Sequence, residues 1–419
     1  MNLQNSRIVS AQTMSERKVG LICALLVAIG PISMAVYTPA MTELVAAFDT
    51  TEALIKLSLS SYFAGFAIAQ LVCGPLSDSY GRKPVTFGFM AVYLAASIAA
   101  IMAPNVESLV AARFVQGVGA AVGVAIARAI VRDMYTSDQS ARVMNFIGLV
   151  MGLGPALSPT VGGVLTGLFG WQAVFIFMVA AGAVLTIVVR TALVETAVPD
   201  PSKIRPRAII ASYRTLLTSS YFMSSSLVVG CGIGAFYTQA TILPFILMDR
   251  VGMTAVEFGL GMLMQSGSFF VGGLVTRRLL ARHSAGSIVP AGLACVTFGC
   301  VLLAVLLRVQ EPTYLNVMVP IGFHAFGMAF VLPAMSTATV AAFPHMAGSA
   351  SAIAGFLQMG GGLVGGLIAA ALGNPTFAIA TVPPAMGILA ALCWAYWRTL
   401  PEPALAHVIL PRETDHPPT

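Results

Sequence analysis

Runs of apolar residues without a formal charge recur along the chain, separated by short polar stretches. From Val19 to Thr42, from Leu57 to Ser77 and from Pro84 to Val106 there is no Asp, Glu, Lys or Arg. An α-helix needs roughly 20 apolar residues to cross a bilayer, so each run predicts one span. The first run is too long for the core of a signal peptide and others follow at once, which predicts a retained helix. Ser108 to Ala127 is interrupted only by Arg113, and the 47 residues from Val143 to Val189 carry "GLFGW" (167–171) at their middle. They predict spans four, five and six. Thr215 to Met248, Phe258 to Thr276 and His283 to Leu307 predict one crossing each. Pro312 to Trp397, punctuated by "AAFPHMAG" (341–348) and "GNPT" (373–376), predicts three. The pattern is that of an all-α membrane protein with twelve transmembrane helices.

A proline-rich, charged stretch, "VETAVPDPSKIRPRAIIASYR" (194–214), holds no run long enough to cross. It predicts a linker over 193–218 between an N-terminal six-helix bundle (19–192) and a C-terminal one (219–399), with tails at 1–18 and 400–419. Two pseudo-symmetric bundles that rock about a shared site have this plan. A weak internal echo agrees: "GPLSDSYGRKP" (74–84) follows span two and "GGLVTRRLLAR" (272–282) follows span eight, without the aspartate.

Composition sharpens the class. Apolar residues make up 58% of the 419 and charged ones 9%, with a mean hydropathy of +0.88; soluble domains carry roughly a quarter charged residues. With a cytoplasmic N-terminus, only Lys56, Arg250 and Arg308 of the 22 basic residues fall on the outer side, so both termini are expected on the cytoplasmic side. The net charge of +6 reflects that asymmetry and not a nucleic-acid partner. The six cysteines lie in apolar runs without C-x-x-C spacing and read as core residues. None of the five histidines forms H-x-x-H or H-E-x-x-H, and no G-x-S-x-G or phosphate loop occurs. No enzyme, metal or cofactor is expected.

Three stretches carry chemistry. In "GPLSDSYGRKPV" (74–85), Gly74 and Gly81 permit positive backbone dihedrals, Asp78 can accept from helix N-terminal amides, and Arg82 with Lys83 anchors the inner side. In "LVAARFVQGVGAA" (109–121), Arg113 stands in a stretch otherwise suited to hydrocarbon. An arginine there costs about 2.5 to 3.5 kcal/mol on insertion scales, so it is expected to face the bundle interior, with Gln116 close by, and to function. In "GLVMGLGPALSPTVGG" (148–163), small residues allow close helix approach while Pro155 and Pro159 loosen the ladder next to Gly154.

These three motifs, in this order, resemble those of the major facilitator superfamily. "AIVRDMYTSDQSARVM", "GWQAVFIFM", "TILPFILMDRVGMTAVEFG" and "GSASAIAGFLQ" look like its bicyclomycin and chloramphenicol resistance branch of drug:proton antiporters. The resemblance implies efflux by alternating access, proton coupling through Arg113, and a face-closing role for the helix with Gly154, Pro155 and Pro159. It also exposes a departure: "MAVYTPAM" (34–41) has Ala35 where the branch commonly carries an aspartate. Three alternatives stay open: Glu43 titrates, His324 titrates, or coupling is absent. A metabolite exporter or proton-coupled importer on the same scaffold is the other reading.

The cavity is expected to be apolar, with Tyr37, Asn145, Tyr237, Gln239, Gln265, His324 and Gln358 as polar handles among 21 methionines and 23 phenylalanines. A lone fixed positive charge points to neutral, amphipathic or anionic cargo, taken by a monomer in the lipid bilayer. Asp133 is expected to pair with Arg82 and to bias one conformation.

Overall fold

The computed structural model describes residues 14–135, 137–200 and 206–401, and no strand occurs among them. The first span comprises α1 (Glu16–Ala35), a 3-10 turn (Thr38–Ala40) and α2 (Met41–Ala47). α3 (Glu52–Tyr80) and α4 (Arg82–Ile101) follow. α5 (Val106–Ala120) continues into α6 (Val122–Met134), then come α7 (Ser137–Phe169) and α8 (Trp171–Ala192). Beyond the linker lie α9 (Pro206–Thr218), α10 (Ser220–Leu247), and α11 (Ala255–Gly261) continuing as α12 (Leu263–Leu280). α13 (Ala285–Val309), α14 (Tyr314–Ala341), α15 (Ala347–Leu372) and α16 (Pro375–Trp397) complete the order. Eleven stretches among the described residues are long and apolar enough to cross a membrane, and α7 fills the remaining place with the apolar segment Ala156–Phe169.

Hydrocarbon offers no hydrogen bonds, so each backbone satisfies itself as a helix and only its ends need partners. The turns supply them. Thr51 accepts from the Leu54 amide at the start of α3, Asn105 from Ser108 at α5, and Asn374 from Phe377 at α16. Thr254 with Glu257 and Thr313 with Asn316 close reciprocal capping boxes at α11 and α14. On α8 the outward face is apolar as well as the inward one: Val174, Phe175 and Met178 are buried while Ile176, Val184 and Ile187 stand exposed. An outer surface of this kind suits lipid.

One large apolar core is built from residues between Val19 and Leu193, joined by Phe245 and Met359; the three others gather residues from Leu216 onward. The linker holds more structure than its composition indicates. α9 buries Leu216, and its Tyr213 hydroxyl donates to the Leu71 carbonyl of α3 at 2.6 Å. An amphipathic helix too polar to cross can still lie against the bundle.

Two expectations are corrected. Gly74 sits within α3 and needs no positive dihedral, because the helix continues past Pro75 to Tyr80; only Gly81 of the pair takes one, at φ +99°. Lys56 is not a loop cation. It lies on the first turns of α3, is 1% exposed, pairs with Glu52 at 2.8 Å and stands 4.6 Å from the centroid of the Phe245 ring on α10.

Candidate functional site: a cavity between the helices and a buried arginine

A cavity of about 870 Å³ opens on the face that carries the Gly81 turn. Both halves of the sequence line it: Gln70, Asp78 and Arg82 near α3, Arg128 and Arg132 on α6, Tyr237 on α10 and Gln358 on α15. Tyr237 stacks on Phe63 of α3, ring centroids 5.0 Å apart, toward its closed end. Of the expected polar handles, Tyr237 and Gln358 reach this space. The side chains of Asn145 and Pro155 lie outside the described ones.

Tyr37, Gln239, Gln265 and His324 do not line the cavity, which corrects their assignment as cavity handles. The reason is helical phase, because each turns into a packed interior where a neighbour engages it, although His324 Nε2 has no partner among the described residues. The Tyr37 hydroxyl lies 2.6 Å from Ser58 Oγ. Gln265 Nε2 donates to Gln239 Oε1 at 3.1 Å, Gln239 Nε2 lies 3.1 Å from His324 Nδ1, and the His324 ring stacks on Phe236 at 4.7 Å. This polar chain ties α10, α12 and α14 together.

Arg113 is wholly enclosed at 0% exposed, and it does not line the cavity either. Its guanidinium lies between two rings, 4.4 Å from the Tyr37 centroid and 4.5 Å from that of Tyr62. One terminal nitrogen donates to Gln116 Oε1 and approaches Met178 Sδ at 3.8 Å. Gln116 Nε2 in turn donates to Ser97 Oγ at 2.7 Å. Nε and the other terminal nitrogen of Arg113 have no hydrogen-bond partner among the described residues. A bare guanidinium held by aromatic faces replaces the carboxylate partner usual for a buried cation. Gly117 permits the arrangement: a Cβ there would overlap the Tyr62 carbonyl, so only glycine lets α5 and α3 approach this closely.

At the cavity mouth, Arg82 Nη1 lies 2.5 Å from Asp78 Oδ1, and Arg82 Nε lies 3.0 Å from Asp133 Oδ2 on α6. The N-terminal amides of α4 are taken by a different acid from the one expected. Glu195, just past α8, accepts from the backbone N–H of Arg82 at 2.8 Å and of Lys83 at 3.1 Å. Asp78 serves the guanidinium instead. The sequence offers no local signal for Glu195, which stands more than a hundred residues from the amides it caps. Asp133→Asn is therefore expected to cost under about 1 kcal/mol, and Glu195→Ala about 1 to 2 kcal/mol, because two helix-end donors lose their acceptor. Thermal unfolding of the two variants side by side measures this, and a larger shift for Asp133→Asn would refute the capping role.

The opposite face is closed. Thr160 Oγ1 on α7 donates to the Gly259 carbonyl of α11 at 2.8 Å, a Cβ on Gly259 would stand 2.6 Å from the Pro159 carbonyl, and one on Gly163 would overlap the Ala255 carbonyl. Gly154 faces α1 instead, toward Ile32. Lys56 and Glu52 lie on this same face, and burial together with the Glu52 charge pushes the nearby Asp249 carboxyl above its ordinary value.

A family model described as Major Facilitator Superfamily matches residues 23–366. Multidrug resistance protein D of Escherichia coli is 27% identical over 89% of this chain and 94% of its own length. A chloramphenicol resistance protein of Pseudomonas aeruginosa is 26% identical over 80% of this chain and 79% of its own. Among solved structures, the xylose transporter XylE from E. coli in a partially occluded inward-open conformation superposes with a TM-score of 0.71 at 13% identity, covering 92% of this chain and 98% of that one. A bacterial homologue of the human lysosomal transporter Spinster gives 0.69 at 16% identity, over 91% and 96%.

Proposed function

We propose a specific task for this chain, which belongs to the Major Facilitator Superfamily: it exports small amphipathic molecules from the cytoplasm across the bacterial inner membrane, in exchange for protons, by alternating access. The observation that carries this is the cavity, which draws walls from both halves of the chain, opens on the basic face and is shut on the other. In the positive-inside assignment the basic face is cytoplasmic, so cargo enters from there and both termini lie there. The six-helix bundles 19–192 and 219–399 rock about the cavity while linker 193–218 spans them; apolar cores built mainly from one side of the linker each support two rigid bodies. The names of the drug-resistance relatives support export over uptake.

Arg113 and Gln116 form the fixed charge to which coupling refers, and the chain works as a monomer. The mouth residues Gly74, Asp78, Gly81, Arg82, Lys83 and Asp133 set the inner gate; Pro159 and its glycine neighbours set the outer one. Among the described residues neither Glu43 nor His324 touches the guanidinium, so a carrier at either position is coupled to Arg113 through movement of the helices and not by direct contact.

Expression in an efflux-deficient bacterium tests the proposal against a broad compound panel, with and without a protonophore. Resistance to part of the panel is expected, and it should vanish when the proton gradient collapses. Resistance that persists unchanged would refute proton exchange. Absence of counterflow in vesicles loaded with the protected compounds would refute carriage altogether.

A further inference from the structure

Three arginines line the cavity against one aspartate. Arg82 is engaged by Asp78 and Asp133. Arg128 is different: among the described residues no carboxylate pairs with it and no hydrogen bond holds it. It lies on the same wall of α6 as Ala125, Ala129 and Arg132, at the helical spacing that makes one stripe. Four residues separate it from Arg132, which places it about 6 Å deeper than the mouth. Its side chain is reached by solvent, yet Pro31, Val124, Met144 and Met359 of the same cavity are apolar.

Two further lining residues lack partners. Gln70 on α3 is 5% exposed with no hydrogen bond to Oε1, and Ser226 on α10 is 2% exposed with none to Oγ. Native interiors rarely leave such groups without a protein partner, and these two line the cavity, where they are available to a ligand. An unpaired cation recessed in an apolar space, with spare polar groups on the facing walls, is the complement of an organic anion that carries an apolar body.

We infer that Arg128 is the recognition point of the cavity and that the cargo is an amphipathic organic anion, its carboxylate or equivalent oxyanion held by the Arg128 guanidinium. This narrows the export reading above and rests on it. The guanidinium fork matches a carboxylate better than an ammonium does. The excess of positive charge along the lining favours entry of anions and opposes cations. The apolar body of the cargo lies inward of Arg128, toward Tyr237.

Equilibrium binding tests this on the full chain in phosphatidylcholine nanodiscs, with naphthylacetate and its uncharged isostere naphthylacetamide as probes. The acid is expected to bind about tenfold tighter than the amide. Arg128→Gln should bring that ratio to about one, and Arg128→Lys should recover part of it because charge without the fork remains. The ratio within one variant is independent of how much protein folds. A wild-type ratio near one, or an unchanged ratio in Arg128→Gln, would overturn the assignment. Adding phosphatidylglycerol to the discs separates a lipid headgroup from a soluble anion. Competitive loss of naphthylacetate in proportion to the lipid would make the headgroup the occupant and also overturn it. Export in vesicles is read separately: a charge-selective site without export of either probe sinks only the transport reading, and export without charge selectivity sinks only this one.

Discussion

Arg113→Met is expected to cut transport by about tenfold or more while leaving thermal stability unchanged or slightly raised. The two halves of this expectation come from different balances. The guanidinium is fully enclosed, has no carboxylate partner among the described residues, and leaves two of its nitrogens unbonded. Removing an ion from water costs several kcal/mol even after relaxation. Against that stand two aromatic faces, each worth about 2 kcal/mol when desolvated, and one charge-assisted hydrogen bond of about 1.5 to 3 kcal/mol. The sums are comparable, so an unbranched apolar side chain of similar length loses little in folding. Transport is another matter, because methionine cannot respond to a field. Arg113→Lys should also fail, since an ammonium lacks the planar face that lies between Tyr37 and Tyr62. Counterflow in vesicles and a melting curve on the same preparation provide the check. Retained transport in Arg113→Met would remove Arg113 from the mechanism, and collapse of the fold together with transport would make it a structural residue.

The helices were legible in the sequence because a bilayer imposes a one-dimensional rule: charge is excluded over a fixed length, and the charge-free runs became one, two or, from Pro312 to Trp397, three helices. Even the break of the long apolar run at "GLFGW" appears as the turn between α7 and α8. What the rule does not reach is which face of each helix meets which neighbour. Tyr37, Gln239 and His324 are polar and sit in spans, as expected of cavity residues, but the phase of their helices turns them into closed interiors. Arg128 and Gln70 reach the cavity for the same geometric reason, and no local feature of the sequence distinguishes them. Lys56 shows a related failure. A basic residue near the start of a span counts as a loop charge by hydropathy, whereas pairing with Glu52 and contact with Phe245 draw it into the packed interface. Glu195 is invisible for a third reason, since a cap supplied from beyond four intervening spans leaves no spacing to read.

Lys56 and Gln70 lie where the two halves of the chain touch, Lys56 against Phe245 and Gln70 against Gly355, and contacts of that kind set the conformational balance. At the closed face Gly163→Val should shift that balance away from the inward-open form by about 1.4 kcal/mol or more, a factor of ten. A Cβ at Gly163 would overlap the backbone carbonyl of Ala255, and a backbone atom cannot turn aside as a side chain can. The overlap is relieved only if α7 and α11 separate, which opens the face they now seal and narrows the cavity on the other. Gly148 on the same helix provides the control, because a Cβ there would meet nothing within 4 Å. With Ser351→Cys as a reporter on the cavity wall, labelling by a membrane-impermeant maleimide from the basic face should slow about tenfold in Gly163→Val and stay unchanged in Gly148→Val. Of the native cysteines, Cys23, Cys73, Cys231 and Cys300 are buried, so labelling of the parent sets a low background. Equal labelling in all three backgrounds would show that the contact between α7 and α11 is ordinary packing and that the seal lies elsewhere.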